Sequence, residues 1–267
     1  MATVRAMRHL IAPVLILSLA AFLAAGEPGT SSVAYEHAGV KLEGFLALPA
    51  QAGPRPGVLV VHEWWGLNDY AKRRARELAE AGYVAFAVDM YGAGKTTEDP
   101  KQAGAWAGPF RQDRALGLAR VRAGLAQLTA RPEVDRARLG AIGFCFGGTV
   151  CLELARAGEP LAAAVSFHGS LKTNEPAQPG AIKTRILVLH GGADPMVPPA
   201  DVAAFMTEMI AAKSEWNVEI YGKALHAFTN PAAGTTLGKG LPVAYDADAE
   251  KASFAAMHRL FADVLKP

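Results

Sequence analysis

A glycine-rich stretch, residues 139–148, constrains the fold of this chain more than any other part of the sequence. Its first half is apolar and typical of a buried strand, and a helix is predicted to start near Gly147. Cys145 lies at the turn between them, with a glycine two residues to either side, in the pattern Gly-x-Cys-x-Gly. Glycine suits such a turn because its backbone is strained and closely packed. The stretch predicts either a nucleophilic cysteine, favoured as thiolate by the helix N-terminus, or a buried structural cysteine.

The composition is that of an ordinary globular protein. The chain has 267 residues, is 51% hydrophobic and 19% charged, and carries a formal net charge of +2. No break in composition divides residues 32–267, so we expect residues 27–267 to form one domain with a single core. The near-neutral charge, without a basic cluster with interleaved aromatic residues, argues against nucleic acid as a partner.

The N-terminus has the layout of a secretory signal. Arg5 and Arg8 precede an apolar run over residues 10–25, which ends in small residues. We expect residues 1–26 to be a signal peptide cleaved near Gly26, which predicts a periplasmic or secreted protein without stable membrane insertion. The run is shorter than the roughly 20 apolar residues that span a bilayer, and an uncleaved anchor is the alternative.

The chain has two cysteines, Cys145 and Cys151. They lie six positions apart on one predicted turn and its helix, where they do not face each other at disulfide distance. We expect both to be free thiols even after export, with Cys151 as a small core residue of the helix.

Short apolar runs alternate with helical patterns along the mature chain, which predicts a mostly parallel sheet of about seven to eight strands with helices on both faces. The polar, glycine-rich segment 91–110 is expected to be a connection long enough to have a function. Strands are predicted over residues 32–37, 41–48, 57–61, 84–88, 139–143, 162–167, 186–190 and 217–221. Helices are predicted over residues 69–81, 112–130, 200–213 and 246–265, in addition to the one that follows Cys145.

Ligands of open parallel sheets bind outside the carboxyl ends of the strands, so residues just past each strand are candidates for chemistry. Asp194 and His226 follow the last two predicted strands, and Cys145 follows the strand at 139–143. The order nucleophile, acid, histidine is that of α/β-hydrolase triads, and it predicts this fold without a separate cap domain. Alternatively, Asp194 is a helix-capping or turn residue and His226 is a packed core histidine.

Three other histidines, His62, His168 and His190, also lie at the ends of predicted strands. They are rivals for the role of base, but they break the triad order, and we expect them to form hydrogen bonds within the loops. Their spacing matches no zinc-binding pattern, so no metal is expected. The chain also lacks a phosphate-binding loop, which argues against nucleotide chemistry.

Five segments together resemble the dienelactone hydrolase family, the carboxymethylenebutenolidases, over about residues 35–265. They are His62-Glu-Trp-Trp-Gly-Leu-Asn68, Asp89-Met-Tyr91, Gly143-Phe-Cys-Phe-Gly-Gly148, His190-Gly-Gly-Ala-Asp194 and His226-Ala-Phe228. The most specific features are Glu63 and the cysteine of the elbow, because most α/β-hydrolases have serine there and no such glutamate.

The resemblance implies a hydrolase that cleaves a small-molecule ester or lactone without a metal or organic cofactor. Cys145 would attack the carbonyl carbon as thiolate, His226 would act as base, and Asp194 would orient the imidazole and stabilise its charged form. Glu63 would bind the thiol at rest and take part in its activation, which would protect an exported thiol from oxidation. We expect a monomer or a small homo-oligomer.

The same resemblance suggests the surroundings of the reacting carbonyl. The backbone N–H groups of Trp64 and Phe146 would form the oxyanion hole. Trp64 and Trp65 would either line the acyl pocket or pack in the core. Tyr91 and Lys95 are further candidates for contact with the substrate.

The chain departs from the family pattern at the residues that would bind a substrate carboxylate. Members that act on dienelactone carry two arginines where this chain has Ala93 and Asn230, and a serine where it has Ala227. Lys95 and Lys223 are nearby cations, but lysine does not replace arginine in bidentate carboxylate binding. The alternatives are therefore an exported carboxylesterase of broad range, a non-enzymatic ligand-binding protein on a hydrolase scaffold, and a thiol-dependent redox protein.

Overall fold

The computed structural model describes residues 29–266. Their strands are β1 (Gly29–His37), β2 (Val40–Leu48), β3 (Arg55–Val61), β4 (Val84–Val88), β5 (Val134–Phe144), β6 (Ala163–Phe167), β7 (Arg185–Gly191) and β8 (Trp216–Tyr221). The helices are α1 (Asp69–Glu80), α2 (Pro100–Gln112), α3 (Arg114–Thr129), α4 (Phe146–Arg156), α5 (Pro199–Ala211) and α6 (Ala247–Val264). No helix in this range is long and apolar enough to cross a membrane. The signal peptide predicted at residues 1–26 lies outside the described residues.

The eight strands form one sheet in the order β1-β2-β4-β3-β5-β6-β7-β8. β1 and β2 form an antiparallel hairpin whose turn residues, Ala38 and Gly39, both have positive φ, as hairpin turns of two residues require. β2 pairs antiparallel with β4, and all other pairs are parallel. The predicted antiparallel start and parallel remainder are confirmed.

Helices cover both faces of the sheet because its central strands carry apolar side chains on both sides. In β3, Val58 and Val60 pack in the cluster beneath α1 and α6, while Leu59 and Val61 pack in the cluster beneath α3 and α4. Continuous apolar strands of this kind are typical of parallel sheets buried on both sides. Within residues 29–266, no inserted domain covers the carboxyl ends of the strands.

The segment between β4 and α3 differs from the prediction. Residues 91–110 do not form a connection throughout, because α2 begins at Pro100, where the Asp99 carboxylate accepts the Lys101 N–H at 2.9 Å. The helix predicted over 112–130 is confirmed as α3, which begins two residues later than predicted because Asp113 caps it and Gln112 is the last residue of α2. Glycines and Pro109 inside α2 weaken its intrinsic helix propensity, so tertiary packing decides its conformation.

Candidate active site

The turn that carries Cys145 is a strained strand-to-helix elbow. Cys145 has φ 53° and ψ −113°, a region that residues other than glycine rarely occupy. A Cβ on Gly143 would lie 2.1 Å from the carbonyl oxygen of Gly147, and one on Gly147 would lie 2.1 Å from that of Val61. Both glycines are therefore required for the contact between β5, α4 and β3. The predicted strand, turn and helix are confirmed, and Cys145 and Cys151 are both buried free thiols.

Asp194 and His226 form a buried pair at the same edge of the sheet. The Nδ1 atom of His226 lies 2.7 Å from Oδ2 of Asp194, and the other carboxylate oxygen accepts the Met196 N–H at 2.8 Å. Asp194 is thus a turn residue and the partner of the histidine at once. The Nε2 atom of His226 is buried and has no hydrogen-bond partner within residues 29–266. It is therefore available to exchange a proton with a neighbouring group.

The groups around its ring raise the pKa of His226. Burial by itself lowers this pKa, but the interactions with Cys145 and Asp194 outweigh it and raise it to about 10. Such a raised pKa favours the imidazolium form of His226. The arrangement therefore supplies a proton donor beside Cys145.

The two backbone N–H groups predicted to form the oxyanion hole, those of Trp64 and Phe146, both lie at this edge. Phe146 is the first residue of α4, where backbone N–H groups have no partner inside the helix. Neither its N–H nor that of Trp64 donates to another protein group in the described part of the chain. The register between β3 and β5 pairs Val61 with Gly143, which sets both N–H groups at the same edge of the sheet.

Glu63 is buried beside these groups and is held by Asn230, whose Nδ2 donates to Oε2 of the carboxyl group at 2.6 Å. Burial raises the pKa of Glu63 to about 7, although the Asn230 hydrogen bond and the positive charges of His226 and Arg74 act in the opposite direction. The carboxyl group therefore exchanges its proton close to neutral pH.

This shift makes stability depend on pH. In the folded protein the pKa of Glu63 is about 7, against an ordinary 4.5, so the fold favours the neutral carboxyl group. The stability that the neutral carboxyl contributes to the fold is lost as the pH rises from about 4.5 to 7. We expect wild type to lose about 3 kcal/mol of unfolding free energy relative to Glu63→Gln between about pH 4.5 and pH 8. Denaturant titrations across this range measure the difference. Glu80→Gln, at an exposed position, should show none; parallel curves for wild type and Glu63→Gln would contradict the assignment.

Of the rival histidines, two have both ring nitrogens occupied. His62 donates from Nδ1 to the carbonyl oxygen of Glu63 and accepts the Met90 N–H at Nε2. His168 accepts the Cys145 N–H at Nδ1 and contacts Thr229 through Nε2. Burial lowers the pKa of each of these rings.

His190 differs from the expectation that all three rivals form hydrogen bonds within the loops. Burial lowers its pKa as well, but its ring makes no hydrogen bond within the described residues.

The same part of the chain holds no group of three or more His, Cys, Asp or Glu side chains placed to bind a metal ion.

Two cavities meet at Cys145 and His226. The larger is an open groove of about 440 Å³, lined mainly by α2, α3, α4 and the segment 170–175. The smaller, of about 50 Å³, is apolar and closed on one side by the loop 222–246. Its walls are Glu63, Trp64, Trp65, Arg111, Met196, Ala227, Asn230, Ala233, Leu237, Leu241 and Val243.

The residues predicted to contact the substrate lie in different places. Trp64 and Trp65 line the smaller cavity, and Trp65 also packs in a small apolar cluster. Tyr91 is buried, its ring packs against Phe146 with centroids 5.8 Å apart, and it lines neither cavity. Lys95 is exposed and also lines neither cavity, so the structure does not bring this cation to Cys145.

A different cation, Arg111, borders both cavities, and the sequence did not reveal it. Its guanidinium carbon lies 5.8 Å from the ring centroid of Trp64. Arg111 has no carboxylate partner within residues 29–266, whereas Arg114 pairs with Glu153 and Glu175. Arg111 lies there because it belongs to α2. The Asp99-Pro100 pair, a typical start of a helix, is the sequence signal that could have indicated α2 and with it the position of Arg111. The groove thus holds a positive charge that is not neutralised by the protein.

The fold is that of an α/β-hydrolase. It is defined by the strand order, the strained elbow with a buried cysteine, and the Asp–His pair after β7 and β8. The acylaminoacyl peptidase fold, with a TM-score of 0.67 at 14% identity over 90% of this chain and 42% of that one, supports the fold class alone.

Comparison with known proteins identifies the family. Residues 42–265 match the dienelactone hydrolase family, and the chain belongs to it as a hydrolase of the ester- and lactone-cleaving class. The structure named m3DLH is 41% identical, with a TM-score of 0.85 over 90% of this chain and 100% of that one. A dienelactone hydrolase-like promiscuous phosphotriesterase from metagenomic libraries is also 41% identical, with a TM-score of 0.83 over 90% and 99%. A Methylorubrum extorquens protein provisionally named carboxymethylenebutenolidase is 30% identical over 69% of this chain and 67% of its own length.

Proposed function

We propose that this protein hydrolyses small carboxylic esters or lactones through Cys145, His226 and Asp194. The observation that carries the proposal is that His226 is paired with the buried Asp194 and borders both cavities together with Cys145. Its Nε2 atom has no hydrogen-bond partner within residues 29–266. A third group orients the base and the base is adjacent to the nucleophile, as covalent hydrolysis requires.

In the proposed mechanism the Cys145 thiolate attacks the carbonyl carbon, and the carbonyl oxygen becomes an oxyanion bound by the Trp64 and Phe146 N–H groups. His226 then gives its Nε2 proton to the departing alkoxide, which leaves a thioester on Cys145. His226 next removes a proton from water, which attacks the thioester and releases the acid and the thiolate. Asp194 holds Nδ1–H throughout and stabilises the imidazolium.

Glu63 is proposed to bind the Cys145 thiol in the resting enzyme and to take part in its activation. Its carboxyl group lies in the wall of the smaller cavity with Cys145, and its pKa of about 7 allows it to be either donor or acceptor near neutral pH. A general base works best when its pKa is close to the working pH.

The two cavities suggest which part of the substrate lies where. The leaving group must depart before water attacks, so the open groove suits the alcohol portion. The closed cavity of about 50 Å³ then receives the acyl portion. So small an apolar space favours a short acyl chain.

A panel of p-nitrophenyl esters tests this function. We expect kcat/KM to be highest for acetate and to fall for butyrate and octanoate. Leu237→Ala enlarges the smaller cavity. It should raise kcat/KM for the butyrate ester relative to that for the acetate ester by about tenfold, since one or two methylenes in an apolar pocket contribute this much. Gln112→Ala alters only the groove and should leave the preference for acyl length unchanged. Absence of hydrolysis across the panel would contradict the proposed activity.

A second candidate activity is hydrolysis of neutral phosphate triesters. It is suggested by the promiscuous phosphotriesterase that is 41% identical and aligns with 90% of this chain. The open groove of about 440 Å³ has room for the aryl leaving group of such a substrate. A dialkyl aryl phosphate is therefore included in the panel, and its turnover should depend on Cys145 as ester turnover does.

Export is proposed on the pattern of Arg5, Arg8 and the apolar run 10–25, and the active form is proposed to be a monomer or small homo-oligomer that needs no cofactor.

A further inference from the structure

His168 contacts the backbone of the proposed nucleophile. β5 and β6 pair Phe144 with Phe167, which sets Cys145 and His168 side by side just past the strand ends. The N–H of Cys145 donates both to the carbonyl oxygen of Phe167 at 3.0 Å and to Nδ1 of His168 at 3.1 Å. Cys145 and His168 both have positive φ, 53° and 42°. A strained conformation of this kind persists only where surrounding contacts hold it.

The other side of the His168 ring reaches the loop that carries His226. Nε2 of His168 lies 2.8 Å from Oγ1 of Thr229, three residues past His226, and that hydroxyl lies 2.6 Å from the Tyr70 hydroxyl. His168, Thr229 and Tyr70 are all buried. His168 therefore connects the elbow to the loop of the base through two hydrogen bonds.

The direction of these hydrogen bonds follows from the donors. Because the Cys145 N–H can only donate, Nδ1 of His168 accepts, Nε2 carries the proton, and it donates to Thr229. Burial and the positive charge of His226 hold the pKa of His168 well below its usual range. The ring stays neutral while His226 is charged, so Nδ1 remains an acceptor.

We propose that His168 is a positioning residue that fixes Cys145 relative to His226 by bridging the elbow and the loop of the base. The inference rests on the proposed role of Cys145 as nucleophile. His168 does not act as a base, since both of its ring nitrogens are engaged.

Three substitutions separate the two hydrogen bonds of His168 from its backbone conformation. In His168→Asn the amide oxygen replaces Nδ1 as acceptor, and in His168→Gln the amide group lies near Nε2 instead. His168→Gly removes both contacts, and glycine adopts positive φ without strain. With p-nitrophenyl acetate we expect kcat to fall severalfold for His168→Asn and for His168→Gln, each of which keeps one end of the bridge. It should fall about 10- to 100-fold for His168→Gly, which keeps neither, with KM nearly unchanged, because small displacements of reacting groups cost this much.

The opposite pattern would overturn the proposal. If His168→Gly is as active as His168→Asn and His168→Gln, only the backbone conformation matters, and if either His168→Asn or His168→Gln has wild-type kcat, a single contact suffices and there is no bridge. Should a His168 variant fail to fold, Thr229→Val and Thr229→Ser test the same bridge from its other end. Thr229→Ser keeps the hydroxyl and should keep wild-type kcat, whereas Thr229→Val should lower kcat severalfold. Equal kcat for the two variants would contradict the bridge.

Alkylation of Cys145 by iodoacetamide gives a readout that does not depend on ester hydrolysis. Displacement of Cys145 from His226 weakens the thiolate–imidazolium pair, so the Gln and Gly variants should be alkylated more slowly at neutral pH and catch up at alkaline pH. A wild type that is alkylated rapidly but hydrolyses no ester would refute the proposed function alone. Identical alkylation profiles for wild type, Gln and Gly would refute the role of His168.

Discussion

Cys145→Ala is expected to lower kcat for p-nitrophenyl acetate by about 10⁵-fold or more, because loss of a nucleophile removes the covalent pathway and leaves only the oxyanion hole and binding. The substitution removes one atom from a small side chain, and alanine has the same backbone restrictions as cysteine at φ 53°. We therefore expect the thermal unfolding midpoint to stay close to that of wild type. Initial rates and thermal unfolding of the two proteins measure both effects.

Two variants control for this result. Cys145→Ser retains a hydroxyl nucleophile next to His226 and should keep a small residual activity. Cys151→Ala removes the other thiol, which is fully buried in α4, and should keep kcat while it lowers stability. Near-wild-type hydrolysis by Cys145→Ala, or loss of activity in Cys151→Ala alone, would remove Cys145 from the role of nucleophile.

The elbow and its partners could be predicted from the sequence because each depends on local chemistry. The glycines around Cys145 are required by contacts of 2.1 Å that any side chain would meet. Asp194 and His226 each follow an apolar strand, and parallel strands bring their carboxyl ends to one edge of the sheet. The residues that follow these strands can therefore be expected at one edge of the sheet without knowledge of the tertiary packing.

Arg111 and the bridge through His168 could not be predicted in the same way. Arg111 reaches the site only because α2 forms despite its glycines and Pro109, which requires packing by residues distant in sequence. The contact of His168 with the Cys145 N–H depends on the register between β5 and β6. A shift of one residue in that pairing would reverse which face of the sheet each side chain occupies. Lys95 illustrates the same limit, because proximity in sequence to Tyr91 does not bring it to the site.

Asp194→Asn is expected to lower kcat at neutral pH by about 10³- to 10⁴-fold with little change in KM. The Met196 N–H holds one oxygen of the Asp194 carboxylate at 2.8 Å, so the amide oxygen of asparagine takes that position. The amide nitrogen then faces Nδ1 of His226 and donates to it. This forces the proton of the neutral ring onto Nε2. The Nε2 atom can then no longer accept a proton from Cys145 or from water.

The pH dependence distinguishes this effect from simple loss of structure. Asp194 is one of the groups that raise the pKa of His226 to about 10, so its replacement lowers this pKa and weakens the thiolate–imidazolium pair. The deficit in kcat should therefore narrow at alkaline pH, where solvent hydroxide takes up the proton that His226 can no longer accept. Asp263→Asn, at an exposed position in α6, should match wild type at every pH. A deficit that is the same at all pH values, or smaller than about tenfold at neutral pH, would mean that Asp194 does not set the tautomer of His226.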